Sequence, residues 1–268
     1  MMQQPKEENT HEFSIFSSSP AIWRMLAAAI QTLSEDCTFD IDADGLRTRS
    51  MDPSHVAMLD VKFPESAFER FGCVKPSKFT VHMDDFSKIV KRSEQKESFE
   101  VSRNGGMALQ IKIGTGHYRR EFELHLMDDE LKTSPLPKLN FTTRFSMNVL
   151  AFQQILADVS VFSNHLGVSV KDGSVTFSGK GDSGKGEVSL GRADGALLQE
   201  INVESGLPET RAVYNLEYLT KIAKAVSTFS DFVRFEFSNK MPLKLEFTNA
   251  NTRSTGPIQF YLAPKMMD

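Results

Sequence analysis

The chain contains a second version of itself. Lys78–Asn104 reads KFTVHMDDFSKIVKRSEQKESFEVSRN, and Arg211–Asn239 reads RAVYNLEYLTKIAKAVSTFSDFVRFEFSN. Each passes from a strand pattern into an acidic and aromatic helix start, through a Ser/Thr-Lys-Ile core, and out into another strand. The Lys-Ile pairs stand at 88–89 and 221–222, 133 positions apart. A second landmark, the turn Asp44-Gly45, returns as Asp172-Gly173, 128 positions on. A helix-like stretch precedes each turn, Ile22–Leu33 in one case and Val149–Val159 in the other, with a strand (Thr38–Ile41 or Gly167–Val170) between. Near-equal offsets for separate landmarks mean a duplication, so the 268 residues divide into two similar domains of about 125 residues, a common domain size.

The duplication sets the boundaries. Residues 13–127 and 140–268 are the expected domains, and residues 128–139, reading DDELKTSPLPKL, form the connecting loop, with two prolines and no apolar period. Residues 1–12 are expected to be a disordered polar tail. Inside each half, apolar residues recur at period two, as in Phe122/Leu124/Leu126, Val233/Phe235/Phe237 and Leu243/Leu245/Phe247. Strands of this kind bury one face, which implies antiparallel sheets covered on one side by helices, an α+β chain. No run of eighteen apolar residues is present, so no membrane partner is expected. Two cysteines are too few for a disulfide framework.

Four segments read as amphipathic helices. In the second, Phe86, Ile89 and Val90 share the apolar side while Lys88, Lys91 and Arg92 cluster elsewhere. In the fourth, Leu219, Ile222, Ala223 and Val226 are apolar, and Lys221 and Lys224 stand three apart. The first leaves Arg24 and Gln31 outward; the third has Gln153, Gln154 and Asp158 outward and no cation. No acidic residue follows Lys88 or Lys224 at helical spacing, and Lys88, Lys91 and Lys224 are expected to be free of salt bridges. The net charge is −4, so any hold on a polyanion has to come from this one cationic face. Without base-reading side chains, such a face suits phosphate contact with double-stranded DNA of any sequence.

Apparent catalytic motifs fail on context. Gly179–Gly186 satisfies G-x-G-x-x-G, but Gly186 stands where a phosphate-binding loop needs Ser or Thr, and strand patterns flank it on both sides. It reads as a hairpin. Asp40-x-Asp42-x-Asp44-Gly45 imitates a calcium loop but has Met51 at the twelfth position. The six histidines have no metal-ligand spacing. No catalytic residue, metal or cofactor is expected.

Three further stretches carry a family resemblance. GLRTRSMDPSHVAMLDV (Gly45–Val61), FELHLMDDE (Phe122–Glu130) and FYLAPK (Phe260–Lys265) resemble, in this order, motifs of the proliferating cell nuclear antigen family of DNA sliding clamps. The resemblance spans Phe13–Lys265. It implies the DNA clamp fold and a head-to-tail trimeric ring, with sheets outside and helices lining the interior. Subunits would meet through the strand bearing Tyr118, Phe122 and Leu124 and the strand bearing Gly186, Val188 and Leu190. A pocket for PIP-box peptides would use Met51, His55 and Val56, with Leu136, Pro137 and Phe141 from the connecting loop and its exit. Pro242 and the tail residues Tyr261, Leu262, Ala263 and Pro264 would complete it.

The DNA contacts would be Arg24, Lys88, Lys91, Arg92, Lys221 and Lys224. Implied partners are DNA polymerase, flap endonuclease, DNA ligase and a clamp loader. The setting would be intracellular and DNA-associated, in the cytoplasm of an archaeal cell or the nucleus of a eukaryotic one. The short connecting loop and the missing acidic tail lean archaeal. A subunit of a heterotrimeric clamp is the alternative, and a phosphate-handling enzyme built on Gly179–Gly186 is the competing class.

Overall fold

The computed structural model describes residues 11–128, 134–191, 194–195, 197–204, 208–248 and 256–265. Most of the expected N-terminal tail, and 129–133 of the connecting loop, lie outside them. The first half runs β1 (Phe13–Ser17), α1 (Ala21–Ile30), β2 (Asp36–Asp42), β3 (Gly45–Met51), β4 (Ala57–Pro64), β5 (Arg70–Cys73), β6 (Ser77–His82), α2 (Met83–Lys91), β7 (Ser98–Arg103), β8 (Ala108–Thr115) and β9 (Tyr118–His125). The second runs β10 (Thr143–Asn148), α3 (Val149–Ser160), β11 (His165–Lys171), β12 (Ser174–Gly181), β13 (Gly184–Leu190), β14 (Leu198–Val203), β15 (Thr210–Asn215), α4 (Leu216–Val226), β16 (Phe232–Phe237), β17 (Leu243–Thr248) and β18 (Ile258–Leu262).

Three antiparallel sheets result, in the orders β5-β1-β7-β8-β9, β14-β10-β16-β17-β18-β4-β3-β2-β6, and β13-β12-β11-β15. The middle sheet is composite. Its first five strands repeat the plan of the first sheet, and its last four repeat the plan of the third. The two halves join where β18 pairs with β4, from Ile258 opposite Val61 to Leu262 opposite Ala57. Phe63 and Phe229 meet beside this seam with ring centroids 6.2 Å apart.

The helices form a row in which α1 packs against α2 and α4, and α4 against α3. Their apolar sides close over aromatic clusters. Phe145 stacks on Phe235 at 4.4 Å, with Phe152 edge-on at 5.0 Å. In the first half Trp23 lies 5.8 Å from Phe99 and 6.2 Å from Phe86. Asn148 and Asn215 cap α3 and α4 by accepting backbone N–H bonds from the first turn.

The boundaries differ from expectation in three places. The helix expected to reach Leu33 ends at Ile30; Leu33 stays buried from the following turn, which prolongs the apolar pattern beyond the helix. Glu12, assigned to the tail, extends β1 by one residue, its backbone bonding Arg103 on one side and Val74 on the other. The glycine-rich hairpin is longer than expected, with paired strands running to Gly181 and from Gly184. Its glycines make room for the end of α3. A Cβ on Gly181 would stand 2.0 Å from the Phe162 carbonyl oxygen, and one on Gly179 2.5 Å from Val159 Cγ1.

Cys37 is a core residue, its thiol 2.8 Å from the Thr48 hydroxyl. Burial pushes its pKa up to about 11, so it is an inert thiol at neutral pH.

Replacing Gly181 with Ala forces this hairpin away from the end of α3. We expect a loss of about 1–3 kcal/mol of stability, read as a lower denaturant midpoint. An unchanged midpoint would contradict the close packing.

Candidate functional site

The row of helices gathers most of the predicted cations. Arg24, Lys91, Lys221 and Lys224 line one open groove of about 560 Å3 between α1, α2 and α4. Ala28 and Thr228 lie among them, so small side chains leave the cations prominent. Lys88 and Arg92 are exposed on α2 outside this groove. As read from sequence, α3 contributes no lysine or arginine. Gln153 is committed to the Ala223 carbonyl at 2.9 Å, and Leu150 is 64% exposed.

The expectation of unpaired lysines is corrected at Lys88, and Lys221, which that expectation did not cover, is paired as well. Lys88 bridges Asp84 and Asp85, each at 3.0 Å, and Lys221 meets Glu217 at 2.6 Å. The acids precede the lysines by three or four residues, the favourable order along a helix, whereas only following positions had been considered. Hydrogen bonding to Asp84 and then Asp85 raises the Lys88 pKa, and Lys88 lowers that of Asp84. Exposed pairs of this type are weak and can exchange for a phosphate. Arg24 is also engaged, donating to the Ser93 carbonyl just beyond α2. Among the described residues, Lys91, Arg92 and Lys224 make no ion pair.

A second surface lies on the composite sheet, where β3 turns into β4. Asp52 is only 3% exposed, and its carboxylate accepts from the backbone N–H groups of Ser54 at 3.0 Å, Val56 at 2.8 Å and Ala57 at 2.6 Å. It accepts a fourth bond, 2.9 Å, from the Tyr218 hydroxyl on α4. This loop holds His55 in the left-handed region at φ 59° and presents Val56, 36% exposed. The Val56 carbonyl accepts from Ala263 N–H at 2.8 Å, and Tyr261 lies opposite Met58 beside Met51.

Met51, His55, Val56, Tyr261, Ala263 and Pro264 therefore share one region. Leu262 belongs to the same strand but is 1% exposed, so its side chain serves the core instead of an open pocket. Leu136 and Pro137 are exposed, and Leu136 lines a different cavity with Arg49 and Asp60. The loop reaches the first group through Ser134, whose carbonyl accepts from Arg49 and whose hydroxyl approaches the Met51 sulfur at 3.6 Å. Phe141 and Pro242 are half-buried. Asp52 and Tyr218 were missed from sequence; the Asp-Pro-Ser turn was the available signal for the first.

The remaining predicted residues lie on two strands at open sheet edges. β9 carries Tyr118, 62% exposed, half-buried Phe122 and buried Leu124. β13 carries half-buried Gly186 and Val188 and buried Leu190. By their places in the sheets, β9 is the counterpart of β18 and β13 that of β4. The imitated calcium loop is spoken for: Asp42 and Asp44 both pair with Arg47, at 3.3 and 3.2 Å.

Two family models match the chain: the N-terminal domain of proliferating cell nuclear antigen over residues 15–132, and its C-terminal domain over residues 135–265. Among curated relatives, the DNA polymerase sliding clamp of Nitrosopumilus maritimus is 38% identical over 91% of this chain and 94% of its own length. That of Cenarchaeum symbiosum is 36% identical over 95% and 98%. Among solved structures, PCNA from Thermococcus kodakaraensis superposes with a TM-score of 0.86 at 20% identity, covering 94% of this chain and all of the other. PCNA from Entamoeba histolytica gives 0.85 at 22%, covering 96% and 100%.

Tyr218→Phe leaves the buried Asp52 carboxylate one donor short. We expect a loss of about 1–2 kcal/mol, with faster hydrogen exchange at the Val56 and Ala57 amides while the α4 amides hold. Unchanged exchange at both amides would show that the phenol does not hold the loop.

Proposed function

The chain belongs to the proliferating cell nuclear antigen family, and on that premise we propose how its surfaces serve a DNA sliding clamp. It is a processivity factor for DNA polymerase, acting in replication on duplex DNA inside the cell. It tethers enzymes and performs no catalytic step of its own. With archaeal relatives at 38% and 36% identity, the cytoplasm of an archaeal cell is its setting.

Three copies close into a ring. The observation that carries this is the pair of open edges, β9 and β13. Within the chain their counterparts, β18 and β4, are already joined. A joint of the same kind between chains satisfies both edges, and a head-to-tail contact that closes leaves neither of these two exposed on any subunit. The row of helices then faces the duplex. Lys91 and Lys224 contact phosphate directly, Lys88, Lys221 and Arg24 after giving up weak partners, and Arg92 from the end of α2. With no lysine or arginine on α3, the contacts are few and uneven, which permits movement along DNA.

The region of Met51, His55, Val56, Tyr261, Ala263 and Pro264 receives PIP-box peptides of the polymerase, flap endonuclease and ligase. A preformed apolar surface beside an extended chain tail suits a short peptide with a hydrophobic anchor. Leu136, Pro137, Phe141 and Pro242 lie at its margins, and Leu262 supports it from below.

We expect the purified chain to run at three times 30.1 kDa; a strict monomer at micromolar concentration would sink the homotrimeric ring. We also expect Lys91→Ala with Lys224→Ala to lower retention on nicked circular DNA loaded by the clamp loader, and to make retention less steeply dependent on salt. Retention equal to wild type at every salt concentration would remove these lysines from the DNA contact.

A further inference from the structure

We propose that the outer face of the sheet β13-β12-β11-β15 is a docking basin for an acidic protein segment, the flank of the peptide seated in the neighbouring pocket. The inference rests on the reading of that pocket as a peptide site.

Side chains alternate across these strands, so Val168, Phe177 and Tyr214 enter the core while their neighbours face outward. The outward set makes an open cavity of about 620 Å3. Its floor is small, with Gly167 opposite Ser178. Its rim is cationic: Lys180, Lys185, Arg211 and Lys265 all line it, against one acid, Glu187. Among the described residues, none of the four cations forms an ion pair. Lys180 and Lys185 stand directly opposite each other across the ladder. Like charges so placed are unfavourable, and an acidic occupant relieves them. Burial, and then the charge of Lys265, hold the His165 pKa below its ordinary value. In a chain of net charge −4 this is a marked local excess.

The position of the basin selects the occupant. Lys265 directly follows the pocket residues Tyr261–Pro264, and its N–H bonds the Val213 carbonyl at 2.7 Å, so the tail leads from pocket to basin. Duplex DNA in the ring would face the helices, and α3 packs on the opposite side of this sheet. Single-stranded nucleic acid sites combine cations with broad aromatic platforms, and no Phe, Tyr or Trp side chain lines this basin. The cations come from three strands and the tail, too spread for one small anion. A flexible run of glutamate and aspartate fits.

The test uses the assembled protein and fluorescent peptides sharing one PIP-box segment, flanked at either end by four glutamates or four serines. We expect one glutamate-flanked peptide to bind about tenfold tighter than its serine counterpart, with the advantage shrinking at high salt. Lys180→Glu with Arg211→Glu should abolish the advantage and leave the serine peptides unaffected. Lys185 is left alone because it lies on the strand assigned to the subunit joint, and Lys180→Ser with Arg211→Ser repeats the test more gently. Equal binding of all flanks, with the serine peptides bound, would overturn the basin alone. No binding of any peptide would overturn the pocket and the basin together. Loss of DNA retention in the variants, with peptide preference intact, would reassign the face to nucleic acid.

Discussion

Most of the architecture hangs on the pairing of β18 with β4. These strands lie about two hundred positions apart in the chain, yet their ladder converts two similar half-chains into one nine-stranded sheet. The seam brings the helices of both halves into one row, so that cations from α1, α2 and α4 share a groove. It also sets the C-terminal strand against the loop that follows Met51, where Ala263 bonds Val56. The faces proposed for polyanion and peptide are thus products of one backbone pairing, and its counterparts in the other two sheets, β9 and β13, lie at open edges.

Electrostatics divides along the same plan. The helical face offers lysines in two conditions, some held loosely by acids one turn earlier and some with no ion partner among the described residues. The outer face of the third sheet concentrates cations on a floor of small residues. Against these, Asp52 is the buried charge of the seam, satisfied by three N–H groups and the Tyr218 phenol. A buried carboxylate with four donors fixes a loop more firmly than apolar contact would, because each donor lost leaves buried charge unsatisfied.

The repeat was legible because landmarks such as Lys88-Ile89 and Lys221-Ile222 preserve both order and spacing, and because period-two alternation identifies one-faced sheets. The cationic helices were legible from spacing alone. What escaped depends on three-dimensional neighbours. Asp52 and Tyr218 lie 166 positions apart, and no local pattern links them. Leu262 reads as a surface anchor in FYLAPK but points inward, since alternation along β18 has a phase that only pairing sets. The glycines of the hairpin resembled a phosphate loop, and their actual reason, the approach of Phe162 at the end of α3, is a packing fact. Lys88 was misjudged for a simpler cause, its acids lying upstream.

The seam within the chain and the joint proposed between chains are built alike but not reinforced alike. The internal one has Phe63 against Phe229 and the Tyr218–Asp52 bond across it, besides a covalent connection. A contact of β9 with β13 from another molecule has no such tether. In mechanical terms each subunit of the proposed ring would act as a reinforced segment, and strain on the closed ring would concentrate at the joints between segments. The proposed circle would part where two molecules meet, and a break there that admits a duplex would leave each proposed peptide site undisturbed.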